Sequence, residues 1–495
     1  MLLTGARITN YRSAVDTTEL VVEPDITCLV GKNESGKTAI LRGMYKNNPI
    51  DPHATLDETT DFPTALSRQR RRMSPDEQIP VSRLTFQLSL NEVAAIENEL
   101  GDGVMASPEF TVTVGYRNSA QVFELLADES AAVRHLRNQL DVPMSSYRNI
   151  AEADTINELY NALTAVENPP GSVAKLASMI EDWPDRQLDH KIVTQYLRPN
   201  LPRLAYFADY DAMPGVISIP SLIRRRSSGE LTRGEQALLS LLTLAEIQPE
   251  SFCEADQHEE LVRDLEGAAN AISDEVFEYW SQSDQLDVTL AVMPARDTSP
   301  APLDEGPILQ IRMRDRRHRA SVPFDERSRG FVWFFSFLAY VTELERADHD
   351  MILLLDEPGL YLHGRAQQDL LRLITERLAP RHQVIFSTHS PFMIPPNAME
   401  QVRVVTDTTG AGTTVSADVL NADSDTTAPL VSAMAAELSR SLLTGDHTLL
   451  ISHPSDLIHL DILSGLLKMR GRPGLDSRWS VTPVGGAQRL ATLAA

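Results

Sequence analysis

Cysteine is nearly absent. The 495 residues contain two, Cys28 and Cys253, too few for a disulfide framework or a cysteine-rich zinc site, and suited to a reducing cytoplasm. Long apolar runs are missing as well. The longest, "GFVWFFSFLAYV" (Gly330–Val341), is about twelve residues, short of the roughly twenty a membrane helix needs, and reads as a buried helix. The start, "MLLTGARITNYRS", lacks the basic-then-apolar pattern of a signal peptide. Positive charge is scarce: 45 Lys and Arg stand against 69 Asp and Glu, a formal net charge of −24. That argues against a surface broadly adapted to nucleic acid, though a local basic patch and DNA as a partner stay open. Three arginine clusters interrupt the acidity, at Arg68–Arg72, Arg224–Arg226 and Arg312–Arg319, and each reads as a solvated loop or edge. No internal repeat and no low-complexity tract is visible.

What is present begins with "CLVGKNESGKTAIL", residues 28–41. Gly31, Gly36, Lys37 and Thr38 fit the spacing G-x-x-x-x-G-K-[ST]. Glycines let the backbone curl so that successive N–H groups point at phosphate oxygens. Gly31, Asn33, Glu34, Ser35 and Gly36 would form that cradle. Lys37 would reach the β- and γ-phosphates of ATP, and Thr38 would offer a hydroxyl to Mg²⁺. The β-branched run "ITCLV" before it reads as a strand. "TAILRGMY" after it has helical spacing, which puts the phosphates at a helix N-terminus.

"MILLLDEPGLYLH" (Met351–His363) is an apolar strand that delivers two acids to its carboxyl end. Asp356 would complete the Mg²⁺ shell, and Glu357 would act as general base on the attacking water. "VIFSTHSPF" (Val384–Phe392) is a second such strand, ending at His389, whose imidazole could bond the γ-phosphate. "DERSRGFVWFFSF" (Asp325–Phe337) opens a further helix with Ser328, Arg329 and Gly330, a second phosphate-binding end. One chain cannot easily bring both ends to one nucleotide, whereas two chains facing each other can.

Strand and helix alternate around these motifs, which predicts a mainly parallel sheet and an α/β fold. "VSRLTFQLSL" (Val81–Leu90) and "FTVTVGY" (Phe110–Tyr116) alternate as strands should. The chain divides into an N-terminal lobe with the P-loop, residues 1–126, a helical insertion, 127–200, a C-terminal lobe, 201–425, and a terminal segment, 446–495.

In that order, "GKNESGKT", "ERSRGF", "LLLDEPGLYLH" and "FSTHSPF" resemble the ABC-type ATPases of the overcoming-lysogenization-defect (OLD) family, relatives of the RecF and SMC ATPases. "DFP" (Asp61–Pro63) and "YFADY…MPGVISI" (Tyr206–Ile219) are similar to that family too, and the resemblance spans most of the chain. It implies an ABC-type head with a mixed or parallel sheet, ATP and Mg²⁺ as ligands, and a homodimer or higher homo-oligomer. Ser328 and Gly330 become a signature loop closing on the other subunit's γ-phosphate. His389 becomes a switch histidine, and His363 lies in a loop touching the opposite subunit. The resemblance also implies that helices 127–200 dimerise, and it makes Gln87 the candidate for a further Mg²⁺-side ligand.

OLD proteins continue into a Toprim nuclease domain whose first strand ends in an acidic residue. Here that stretch is "LLISHPSD" (Leu449–Asp456), with Ser452 where Glu belongs and His453 where Gly belongs. One surviving carboxylate, Asp456, is a poor Mg²⁺ site, because hard cations need several oxygen ligands. The segment is expected to be a partial Toprim-like remnant without nuclease activity. The resulting expectation is a cytoplasmic, membrane-free ATPase whose head pairing controls a separate nuclease or helicase effector in anti-phage defence. Two other readings stay open. One is a RecF- or SMC-like DNA clamp. The other is an ATP-regulated OLD-type endonuclease, if the chain is part of a longer protein.

Overall fold

The computed structural model describes residues 1–74, 78–117, 120–208, 212–244, 247–253, 258–282, 285–296, 298–344, 350–395, 398–408, 412–417, 447–451, 454–476 and 479–483. Its centre is a six-stranded sheet in the order β16-β15-β4-β14-β13-β8. These strands are β4 (Ile26–Val30), β8 (Arg203–Phe207), β13 (Met351–Leu355), β14 (Gln383–Thr388), β15 (Val402–Thr408) and β16 (Gly412–Ser416). Five run parallel, and β16 returns antiparallel along β15. The sheet is covered on both faces, so its strands read as continuous apolar runs.

Alternation decides which face each residue serves. Leu29, Leu204, Tyr206, Ile352, Leu354 and Ile385 join one buried core. Cys28, Val30, Ala205, Phe207, Leu353, Leu355 and Phe386 join the other. Burial pushes the Cys28 thiol far up, so it behaves as a small apolar group.

The first core lies under an antiparallel sheet in the order β2-β1-β5-β6-β7, with β3 also on β1. It comprises β1 (Leu2–Tyr11), β2 (Ala14–Asp16), β3 (Leu20–Val21), β5 (Ile79–Gln87), β6 (Met105–Tyr116) and β7 (Val122–Ala127). The strand expected over 81–90 ends at Gln87. Ser89 instead caps the helix Leu90–Leu100, with Glu92 completing a capping box.

Residues 129–200 are largely helical. Their apolar positions, among them Leu136, Leu159, Ile180 and Leu197, are buried in the same core as the antiparallel sheet. Among the described residues of this region only Met179 leaves a large apolar side chain exposed.

The second core lies under the helices Arg233–Leu244 and Arg329–Leu344 and a sheet of β9 (Val216–Ser218), β10 (Leu286–Met293), β11 (Ile308–Asp315) and β12 (Ala320–Pro323). The helix Arg329–Leu344 is apolar almost all round because it is buried almost all round. Phe331, Phe334, Phe335 and Phe337 are each at most 1% exposed. Phe337 meets Phe207 of the central sheet edge-on at 5.0 Å.

Near the end of the chain, β17 (His447–Ile451), the helix Pro454–Met469 and β18 (Trp479–Pro483) form a parallel strand–helix–strand unit. Ser452 and His453 lie outside the described residues, and Asp456 sits in the first turn of that helix. Among the described residues, no helix is long and apolar enough to cross a membrane.

Candidate active site

Ligands of parallel α/β sheets collect beyond the carboxyl ends of the strands. At that end, strand order sets three motifs side by side. β14 lies between β4 and β13, pairing Thr388 with Val30 and Phe386 with Leu355. The loop after β4, the acids after β13 and the histidine after β14 therefore converge.

The loop Gly31–Thr38 opens the helix Lys37–Tyr45, which has no side-chain cap on its first N–H groups. Gly36 adopts φ +103°, and Glu34 is also left-handed at +66°. A Cβ on Gly36 would lie 1.9 Å from Thr413 Oγ1, and one on Gly31 would lie 2.3 Å from the Val405 carbonyl. The loop is thus pressed onto β15 and β16, and only glycine fits at those two points. Gly36→Ala combines a left-handed backbone penalty with an overpacked contact. It should lower unfolding stability by about 2–4 kcal/mol, measured as a shift in the urea midpoint at constant slope.

Lys37 is 4% exposed. Its Nζ donates to the carbonyls of Gly31 and Lys32 at 2.9 Å and lies 3.2 Å from Glu357 Oε1. Thr38 Oγ1 donates to Asp356 Oδ1 at 3.0 Å. Ser387 Oγ donates to the same oxygen at 2.9 Å and accepts the Glu357 N–H at 2.8 Å. Tyr206 OH donates to Asp356 Oδ2 at 2.7 Å and accepts from Arg42 Nε at 3.0 Å. Burial pushes the Tyr206 phenol well above its ordinary value, so it stays a donor.

Glu357 has φ +49°, unusual for a residue with a side chain and costing about 1–2 kcal/mol. The turn aims its carboxylate away from the strand. His389 Nδ1 lies 2.6 Å from Glu357 Oε2. Lys37, Glu357 and His389 thus form one chain of contacts across the mouth.

A cavity of about 450 Å³ opens here, lined by Arg12, Ser13, Asn33, Glu34, Gly36, Lys37, Thr38, Ala39 and Glu357. Ser35 Oγ is buried beside it with no hydrogen-bond partner. An orphaned hydroxyl, a helix start with no side-chain cap and a buried ammonium fit an oxyanion such as a phosphate. Thr38 and Asp356 supply hard oxygen ligands of the kind Mg²⁺ takes.

Two predicted residues lie apart from this cavity. Ser328 Oγ accepts the Phe331 N–H at 3.3 Å, capping the helix Arg329–Leu344. A Cβ on Gly330 would be 2.8 Å from the Tyr361 carbonyl, so glycine lets that helix start against the turn before His363. This end lines a different cavity of about 520 Å³, bounded by Met213, Arg327, Arg329, Trp333 and Tyr361 among others. The two cavities share no lining residue. His363 is exposed at the start of the helix Gly364–Leu373.

Gln87 does not join the site, which corrects its expected place near Mg²⁺. It is exposed and pairs with Leu2, at the end of β1 opposite Tyr11, whose neighbours Arg12 and Ser13 line the cavity. Its strand is antiparallel to β1, so its last residue runs away from the P-loop.

Sequence reasoning missed Arg12, Ser13, Tyr206, Ser387 and Thr413. "NYRS" at a strand end, and the polar Ser387 inside an apolar strand, were the available signals.

Residues 181–394 match a family model described as an AAA domain, putative AbiEii toxin, type IV toxin–antitoxin system. The match does not reach the loop Gly31–Thr38. An uncharacterized protein of Methanocaldococcus jannaschii is 29% identical over 103 residues, 19% of this chain and 26% of that protein. The chain thus spans about a quarter of this relative's length. Among solved structures, an SMC head domain from Thermotoga maritima aligns at 12% identity and TM-score 0.34, over 84% of this chain and 98% of that one. An SMC head domain with an extended coiled coil, bound to the C-terminal domain of ScpA derived from Pyrococcus furiosus, aligns at 15% identity and TM-score 0.34, over 84% and 96%. Residues 181–394 are thus similar to an AAA domain.

Proposed function

We propose that this chain hydrolyses ATP slowly and that two copies close on the nucleotide between them. One observation carries the reading: Thr38, Asp356, Glu357 and His389, from three separate strand ends, meet in one hydrogen-bonded constellation beside a buried lysine. Lys37 and the loop N–H groups hold the phosphates. Thr38 and Asp356 hold Mg²⁺, which when bound neutralises charge on the phosphate oxygens. Glu357 takes the proton of the attacking water, and His389, in contact with it, orients that carboxylate.

Ser328 and Gly330 sit at the helix start whose neighbours Arg327 and Arg329 line the other cavity. In a head-to-head pair they meet the γ-phosphate held by the other copy. The helices of 129–200 bury their apolar faces internally, so the heads supply the pairing surface. The output is a change of shape that a separate effector reads, in the manner of a defence sensor of the OLD type. The strand–helix–strand unit at 447–483 is read as the Toprim-like remnant and a docking element.

The Arg224–Arg226 cluster does not favour a DNA clamp. Its members pair with Glu305, Glu235 and Glu250 at 2.6, 2.8 and 3.8 Å. Mg²⁺-dependent phosphate release from ATP by the purified chain tests the core reading. Bound ATP with no release, at any protein concentration, would overturn it. Deleting residues 446–495 should leave ATP turnover within about two-fold while weakening assembly or effector recruitment. Plasmid cleavage by the full chain with Mg²⁺ or Mn²⁺, lost in Asp456→Ala, would restore a nuclease reading.

A further inference from the structure

We propose that Tyr206 is a positioning residue for the divalent cation: oriented by Arg42, its hydroxyl locks the Asp356 carboxylate so that one oxygen is presented together with Thr38. The inference rests on the ATP-site reading above.

Tyr206 and Asp356 come from neighbouring parallel strands. Tyr206 pairs with Leu354, and the Asp356 N–H donates to the Phe207 carbonyl at 2.9 Å. This register fixes how far the phenol reaches. Direction is fixed too. Arg42 Nε can only donate, so the Tyr206 oxygen accepts from it, and the single phenolic proton goes to Asp356 Oδ2. Asp356 Oδ1 already takes Thr38 and Ser387. With both oxygens engaged, the carboxylate cannot rotate. Tyr206 is 6% exposed and Asp356 9%, so the clamp is shielded from bulk solvent.

The clamp is organised by one helix. Thr38 and Arg42 are four residues apart on the P-loop helix and so share a face. Tyr45, on the same stripe, packs its ring 5.6 Å from that of Tyr206. The helix that carries the phosphate loop therefore controls both oxygens of Asp356, one directly and one through Tyr206.

Removing the hydroxyl has two effects. Asp356 Oδ2 loses its donor, and Arg42 loses its acceptor while its guanidinium stays over the ring, 5.5 Å from the centroid in the present arrangement. Arg42 is then free to pair with Asp356 directly and compete with the cation.

The experiment titrates Mg²⁺ calorimetrically into the full chain saturated with a non-hydrolysable ATP analogue, and Mn²⁺ by its paramagnetic signal. Tyr206→Phe should weaken cation binding about 10-fold, the usual scale for a lost outer partner of a metal ligand. Binding of the metal-free nucleotide should change less than about two-fold, and turnover at saturating Mg²⁺ should fall less than the metal affinity. An unchanged cation affinity overturns the proposal, even if thermal stability drops, because a packing role would move only stability. If Tyr206→Phe does not fold, Arg42→Met keeps the test. It leaves the phenol without its orienting donor and should weaken the cation in the same direction as Tyr206→Phe but by less than about 10-fold, and no change overturns the proposal. A wild-type chain that binds no Mg²⁺–nucleotide fails at the first titration and refutes the ATP site itself, a result distinct from either variant outcome.

Discussion

Lys37→Ala should reduce ATP affinity at least about 100-fold, equivalent to about 2.7 kcal/mol, with little loss of fold. The lysine is buried to 4% exposure and is held by two loop carbonyls, which flank the proposed phosphate position. Those carbonyls repel phosphate once the ammonium is gone, so the loop changes from a cation-centred cradle to an oxygen-lined one. Glu357 also loses its cation, but it keeps His389 at 2.6 Å and is about one-fifth exposed, so it is not stranded. The defect should therefore read as binding. Equilibrium titration with a fluorescent ATP analogue, alongside a melting curve, separates the two. Retained micromolar binding in a folded Lys37→Ala chain would remove the loop from the nucleotide site.

Glu357→Gln should behave in the opposite way. It keeps Lys37, Thr38 and Asp356, so ATP and Mg²⁺ still bind, while turnover falls by about 10²–10⁴-fold, the range for a lost general base. Binding should also tighten. In the wild type the Glu357 carboxylate sits 3.2 Å from Lys37 Nζ and competes with phosphate for it, and a neutral amide competes less. With hydrolysis blocked, ATP should accumulate the closed pair. A cross-link between cysteines introduced near Ser328 and near Gly31 of different copies reports that pair directly, and Ser328→Arg should abolish it. A cross-link indifferent to ATP would sink the two-head model, and wild-type turnover in Glu357→Gln would remove the general-base assignment.

The parts of this site that were legible in the sequence share one property. The strand, loop and helix over 26–45 are contiguous, and local spacing alone carries their geometry. The acids after Leu355 and the histidine after Thr388 were legible for the same reason, each as a strand with a polar end. Tyr206, Ser387 and Thr413 were not. Their roles depend on register between strands far apart in the chain, and each looks like an ordinary strand residue until its neighbour is known. Gln87 failed for the converse reason. It was placed by motif order, but its strand belongs to the antiparallel sheet and points the wrong end at the P-loop. The helical content of 127–200 could be read from its apolar pattern. Which way its apolar faces turn could not, because an amphipathic helix buries its stripe equally well against its own sheet or against a partner.

The place of β4 in the central sheet also bears on how the chain is made. β4 ends at Val30, and both of its neighbours, β14 and β15, begin only at Gln383 and Val402. At about 5–20 residues per second, synthesis leaves this apolar strand without either partner for on the order of 20–70 s. The phosphate loop it carries exists as sequence long before it exists as a site. Half-made chains should thus be unable to sequester ATP, and they expose Ile26–Val30 as an unpaired edge that invites aggregation or a chaperone. On the proposed reading, nucleotide capture becomes a property of a chain made at least through β15, and a product stalled before Gln383 should bind no ATP.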